Sequence, residues 1–125
     1  TAYDGYMFGA NSYDLAVDVS AAFDLMVDMT WCHQSQVTEW LPWVGRHDMA
    51  VPQSKDEWRA TLEYRYAKRN RELGLGGQPT VEVFGVTAWG EVPTLEQLKA
   101  DLPNLITPPE TEARLAKRLA QWRGA

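Results

Sequence analysis

The chain has 125 residues, 17 acidic against 12 basic side chains, a formal net charge of −5 and 45% hydrophobic content. That suits one small domain or a piece of a larger one, with apolar side chains enough for a core. The acidic balance argues against nucleic acid or an anionic membrane as the main partner, because phosphate binding needs clustered positive charge. A lone cysteine, Cys32, rules out an internal disulfide framework and fits a reducing, cytoplasmic setting. No apolar run approaches the roughly 20 residues needed to span a bilayer. The start, Thr1-Ala2-Tyr3-Asp4, has no initiator Met and no basic segment leading into an apolar one. It reads as a chain entered in the middle rather than as a signal peptide.

In chain order, Tyr3 to Phe8 is compatible with a short strand, and Gly9-Ala10-Asn11-Ser12 with a turn. Leu15 to Val19 alternates well enough for a second strand. Ser20 offers an N-cap to a helix over Ala21 to Met29, whose Ala22, Met26 and Met29, beside Phe23, form a core-facing stripe. The helix is expected to run on to Gln36, which would place Met29, Cys32, His33 and Gln36 on one face, apolar at one end and polar at the other. Pro42 is expected to end it, because the residue before a proline avoids the helical region. After a loop over Arg46 to Gln53, Ser54 and Glu57 form a capping box for a helix bearing Trp58, Leu62, Tyr66 and Leu73 on one side, with Gly74 as its C′ residue. The basic run Arg65 to Arg71 on that helix is flanked by Glu63 and Glu72 and reads as a solvated face. Gly76 to Pro79 is a turn. Thr80 to Phe84 and Val86 to Trp89 read as strand, with Gly85 a bulge between them. Thr94 and Gln97 cap a short helix ended by Pro103. Thr107-Pro108-Pro109-Glu110 opens a last helix with Pro108 at N1 and an apolar edge of Leu115, Leu119 and Trp122.

Few residues are candidates for chemistry. The two histidines are His33 and His47. Cys32 and His33 are adjacent, so on a helix they point about 100° apart and serve poorly as chelators or as a nucleophile–base pair. Cys32 reads as a buried, inert thiol. A mixed His33/His47/Asp48 metal site has no motif behind it, and a lone His is more often a hydrogen-bonded structural residue. Asp18, Asp24 and Asp28 read as a solvated acidic face. The sequence contains no nucleophile elbow, P-loop or dinucleotide fingerprint. Six Trp in a chain this short suit core and interface packing, and flat faces that stack on sugars.

Val17-Asp18-Val19-Ser20, followed after a helix by Cys32-His33-Gln34-Ser35-Gln36, resembles the C-terminal portion of the LmbE/PIG-L family of zinc-dependent N-acetylglucosaminyl deacetylases. Val37 to Pro42, the Arg- and Asn-rich helix from Arg65 to Leu73, and Val81-Glu82-Val83-Phe84 continue the likeness, which spans roughly Tyr6 to Pro93. The resemblance implies an α/β fold: the C-terminal part of a Rossmann-like unit, a few strands with about four covering helices, incomplete as a domain on its own. Residues 1–125 would form a single unit, with 104–125 as its C-terminal helix. It implies a hydrolase that removes an N-acetyl group from an amino-sugar substrate with Zn2+. The family's metal-binding His-Pro-Asp-Asp and His-x-x-His elements are absent from this sequence. The zinc ligands and catalytic residues are therefore expected on an N-terminal half of the same enzyme, the implied partner. What carries over to this chain is a substrate-side contact by Gln36, with His33 and Ser35 beside it. A reading from another class is a non-catalytic module that holds carbohydrate or protein on Trp31, Trp40, Trp43 and Trp58. The Trp content also suits self-association as a homo-oligomer.

Overall fold

The computed structural model describes residues 13–45, 50–77 and 80–124. The expected strand from Tyr3 to Phe8 and the turn from Gly9 to Ser12 lie outside them, as do His47 and Asp48. Helices and strands are mixed, and the described residues divide into two compact units.

The first unit combines residues 13–19 with 81–124. Strands β1 (Leu15–Asp18) and β2 (Val81–Phe84) pair antiparallel, with Leu15 opposite Phe84 and Asp18 opposite Val81. Leu15, Ala16 and Val17 are all buried, as a strand covered on both faces requires. The free edge of β1 is taken up by the segment after the next helix: Ile106 N–H donates to the Ala16 carbonyl at 2.8 Å, and Asp18 N–H donates to Asn104 at 2.9 Å. The chain beyond Phe84 leaves the ladder, so the strand expected over Val86 to Trp89, and the Gly85 bulge with it, do not form. The cause is local: the Val86 N–H donates to the buried Asp14 carboxylate at 2.7 Å instead of to a strand.

Two helices complete this unit. The shorter (Leu95–Asp101) begins in the expected capping box of Thr94 and Gln97. The longer (Pro109–Trp122) starts one residue later than expected, with Pro108 at the N-cap and Pro109 at N1. Thr107, expected in the cap, is instead buried against β1, where its hydroxyl accepts from Ala16 N–H at 2.9 Å. Leu115 and Leu119 pack with Leu15 at the centre of the core, and Val86, Val92, Leu95, Leu98, Leu102 and Leu105 close around them. Trp122, expected on the same edge, remains exposed, with Arg118 over its ring.

The second unit is residues 20–80. Its first long helix, α1 (Phe23–Trp31), buries Phe23 and Val27, at i and i+4. The expected Ala22/Met26/Met29 stripe is therefore wrong: Ala22 and Met29 are exposed and Met26 is half-buried. Phe23 decides the rotation, because its ring packs edge-on against Tyr66 of the helix opposite. That helix, α3 (Lys55–Glu72), follows the very short α2 (Leu41–Val44). Ser54 caps α3 by accepting from Glu57 N–H, and the Glu57 carboxylate reaches back to Gln53 N–H at 2.7 Å. At the other end Gly74, at φ +73°, makes a Schellman turn. Gly74 N–H donates to the Arg71 carbonyl and Leu75 N–H to that of Asn70, and Leu75 is buried beneath. Trp58 and Val37 join Phe23 and Val27 in the core, with Trp31, Leu41, Leu62 and Tyr66 against them. Arg65, Lys68 and Arg71 are exposed along α3.

Candidate functional site

The Trp31–Val37 segment does not continue α1. The helix closes at Trp31, where Cys32 N–H and His33 N–H turn back to the carbonyls of Met29 and Thr30. The His33 carbonyl then accepts from both Gln36 N–H and Val37 N–H, at 3.0 Å each, and so starts a new helical stretch over residues 34–44. The expected alignment of Met29, Cys32, His33 and Gln36 on one continuous helical face is thereby broken, and all four are exposed.

Pro42 explains the form of the new stretch. Its ring would press on the carbonyl four residues back in a regular helix, and it brings no N–H. Residues Gln36–Trp40 widen into a π-turn, with Leu41 N–H reaching the Gln36 carbonyl, and the helix then runs on through Pro42 to Val44. So Pro42 does not end the helix as expected; the wide turn absorbs it, as single-turn π-bulges do. Val37 is 2% exposed and anchors the stretch to the core, while Ser35, Gln36, Glu39, Trp40 and Trp43 face solvent.

The start of the segment is fixed from α3. The Trp58 indole N–H donates to Thr30 Oγ1 at 2.8 Å, and that hydroxyl donates to the Met26 carbonyl at 2.6 Å. Trp58 is buried, so it holds the last turn of α1 from inside the core. Cys32 is exposed rather than buried, its thiol donating to the Asp28 carbonyl at 3.3 Å. The thiol ends up outside because the rotation of α1 that buries Phe23 and Val27 turns position 32 outward.

Beside α1 and α3 an open groove of about 330 Å³ is lined by Asp24, Val27, Asp28, Lys55, Asp56 and Arg59. Its charges pair across the two helices: Lys55 with Asp28 at 2.8 Å, and Arg59 with Asp24. The hydrogen bond that Lys55 donates to Asp28 raises the Lys55 pKa above the ordinary lysine value, and the one Arg59 donates to Asp24 raises that of Arg59 in the same way. Asp24 and Asp28 thus form ion pairs at one face of α1. Among the described residues, no three His, Cys, Asp or Glu side chains come together as a set that could hold a metal ion. The described residues therefore do not fit the zinc that the resemblance implies.

Of the tryptophans, Trp58 is buried and Trp31 half-buried, while Trp40 and Trp43 are 50% and 69% exposed. Trp89, which the sequence did not single out, is 97% exposed on the loop after β2. No helix among the described residues is long and apolar enough to cross a membrane. No family model matches this chain, and neither a curated protein nor a solved structure matches it.

Proposed function

We propose that this chain is the C-terminal part of a zinc-dependent, cytoplasmic N-deacetylase of the LmbE/PIG-L type, acting on an amino-sugar substrate. One observation carries the reading. Val17-Asp18-Val19-Ser20 runs off the end of β1, and Cys32-His33-Gln34-Ser35-Gln36 falls at a helix break with its side chains open to solvent. A helix break beside a π-turn is a common place for a binding residue, because it turns side chains away from the regular packed face. Gln36 offers both a donor and an acceptor to a substrate amide or hydroxyl, and Ser35 and His33 stand within one turn of it. The rest of the Rossmann-like fold, the metal and its ligands belong, in this reading, to an N-terminal half that assembles with the chain.

In the assembled enzyme Gln36→Ala is expected to lower kcat/KM about tenfold, the loss of one neutral hydrogen bond of ~1–1.5 kcal/mol. Stability should stay within about 0.5 kcal/mol, since the side chain is exposed. Unchanged turnover would remove Gln36 from the site.

Exposure of Trp40 and Trp43 on one short helical stretch favours a second reading, a non-catalytic module that holds carbohydrate or protein there. The structure narrows its residues, because buried Trp58 and half-buried Trp31 pack in the core. Binding of an acetylated amino sugar by the isolated chain, without zinc and with quenching of these two indoles, would favour the module over the deacetylase.

A further inference from the structure

We propose that the loop over residues 85–93 is a carbohydrate-contact site, with the Trp89 indole as the platform on which a pyranose ring stacks. The inference does not rest on the deacetylase reading, because it uses neither the His33–Gln36 segment nor a metal.

At 97% exposure, both faces of the Trp89 indole meet solvent. The loop that carries it is anchored at both ends. At the start, Val86 N–H donates to Asp14 Oδ2 at 2.7 Å, and the Asp14 carboxylate, buried, is itself ion-paired with Arg118. At the end, Arg123 Nη1 donates to the Val92 carbonyl at 2.6 Å. Val86 and Val92 also pack against the Leu15/Leu115/Leu119 core. Both clamps thus draw on the last helix of the unit, through Arg118 by way of Asp14 and through Arg123 just past the helix end. A loop fixed at its two ends loses less conformational entropy when it meets a ligand, which is what preorganisation supplies.

The residues between the anchors indicate the kind of ligand. Thr87, Ala88, Gly90 and Glu91 flank Trp89 and are all exposed. None is large and apolar, and a Cβ built on Gly90 would meet no atom within 4 Å. An aromatic anchor for a protein partner sits among other apolar side chains that exclude water around it, and residues 87–91 supply none. A sugar needs a different set: a flat aromatic face for its C–H surface and a few polar groups for its hydroxyls. Thr87 and Glu91, two residues to either side of Trp89 in the sequence and both exposed, carry a hydroxyl and a carboxylate of that kind.

The test is titration of the whole chain with N-acetylglucosamine, followed by the indole N–H signals in NMR and by calorimetry. The Trp89 signal is expected to shift with saturation. Trp89→Phe should keep binding within about threefold, whereas Trp89→Ala should weaken it about tenfold or more, a ratio that corresponds to ~1.4 kcal/mol. Arg123→Ala, which releases one clamp, should weaken binding while Trp89 stays in place. A Trp89 signal that does not move in the millimolar range, or a Trp89→Ala variant that binds like the parent, would overturn the proposal. So would shifts confined to Trp40 and Trp43, which would support the module reading instead. Self-association abolished by Trp89→Ala would make the loop a protein interface and overturn the sugar assignment.

Discussion

Asp14 does more for the first unit than its place at the edge of a strand suggests. It is buried, yet its carboxylate takes the Val86 N–H and pairs with Arg118. Removing it leaves a partly buried guanidinium and a backbone N–H without their shared acceptor. Asp14→Ala is therefore expected to cost about 2–4 kcal/mol, less than a wholly buried pair because Arg118 is one-third exposed. Asp14→Asn, which keeps an acceptor for Val86, should cost distinctly less, and urea denaturation of the two variants checks the order. Nothing in the sequence pattern marked Asp14, because a single acid ahead of an apolar run carries no periodicity. Gln36, His33 and Ser35 were singled out only through motif resemblance. That resemblance gave their positions but not their surroundings, and the thiol of Cys32 beside them came out exposed where burial was expected.

At the scale of elements, caps and turns were the most legible features, because they depend on neighbours in sequence. Thr94 with Gln97 and Gly74 do what local chemistry requires, and Ser54 takes the Glu57 N–H as expected, though the Glu57 carboxylate closes on Gln53 N–H rather than on Ser54. Gly74 makes the point quantitatively. A Cβ at that position would touch nothing, so Gly74→Ala meets only the backbone cost of φ +73° and should lose about 1 kcal/mol in thermal or urea unfolding. A loss near zero would mean that the Schellman turn is not held in solution. The errors fell where tertiary partners decide. The rotation of α1 is set by Phe23 against Tyr66, which a moment over nine residues cannot reveal when Leu25, Met26 and Met29 are equally apolar. The fate of Pro42 was misread because a proline excludes a regular α-turn but not a wider one. The Val86–Trp89 strand failed because its first N–H is claimed by an acid 72 residues earlier in the chain.

At the scale of the whole molecule, exposed ion pairs set how stability responds to pH. The pKa of Lys55 is raised in the folded state by Asp28, so the protonated amine is favoured there over the unfolded chain. That contribution is fully present below the unfolded value of 10.5 and is lost as pH rises through the higher folded value. Tyr13 acts in the same direction: burial, with Glu110 next in effect, raises its pKa, so ionisation above pH 10 also weakens the fold. Stability should therefore fall from about pH 10 upward, and Lys55→Met should lower the plateau below pH 10 slightly and make that fall shallower. An unchanged alkaline limb would show that the Lys55–Asp28 pair does not persist in solution.

In the reading we propose, the chain supplies a substrate-side wall, edged by Gln36, to a deacetylase whose metal is bound elsewhere. The measurement that tests it most directly is zinc content together with hydrolysis of an N-acetylglucosaminide. Both are measured on the isolated chain and on the chain assembled with a half that carries the His-Pro-Asp-Asp element. Neither zinc nor turnover is expected from the chain alone, and both are expected from the assembly. Stoichiometric zinc and turnover from the isolated chain, or an assembly that binds zinc and leaves the acetyl group untouched, would contradict it.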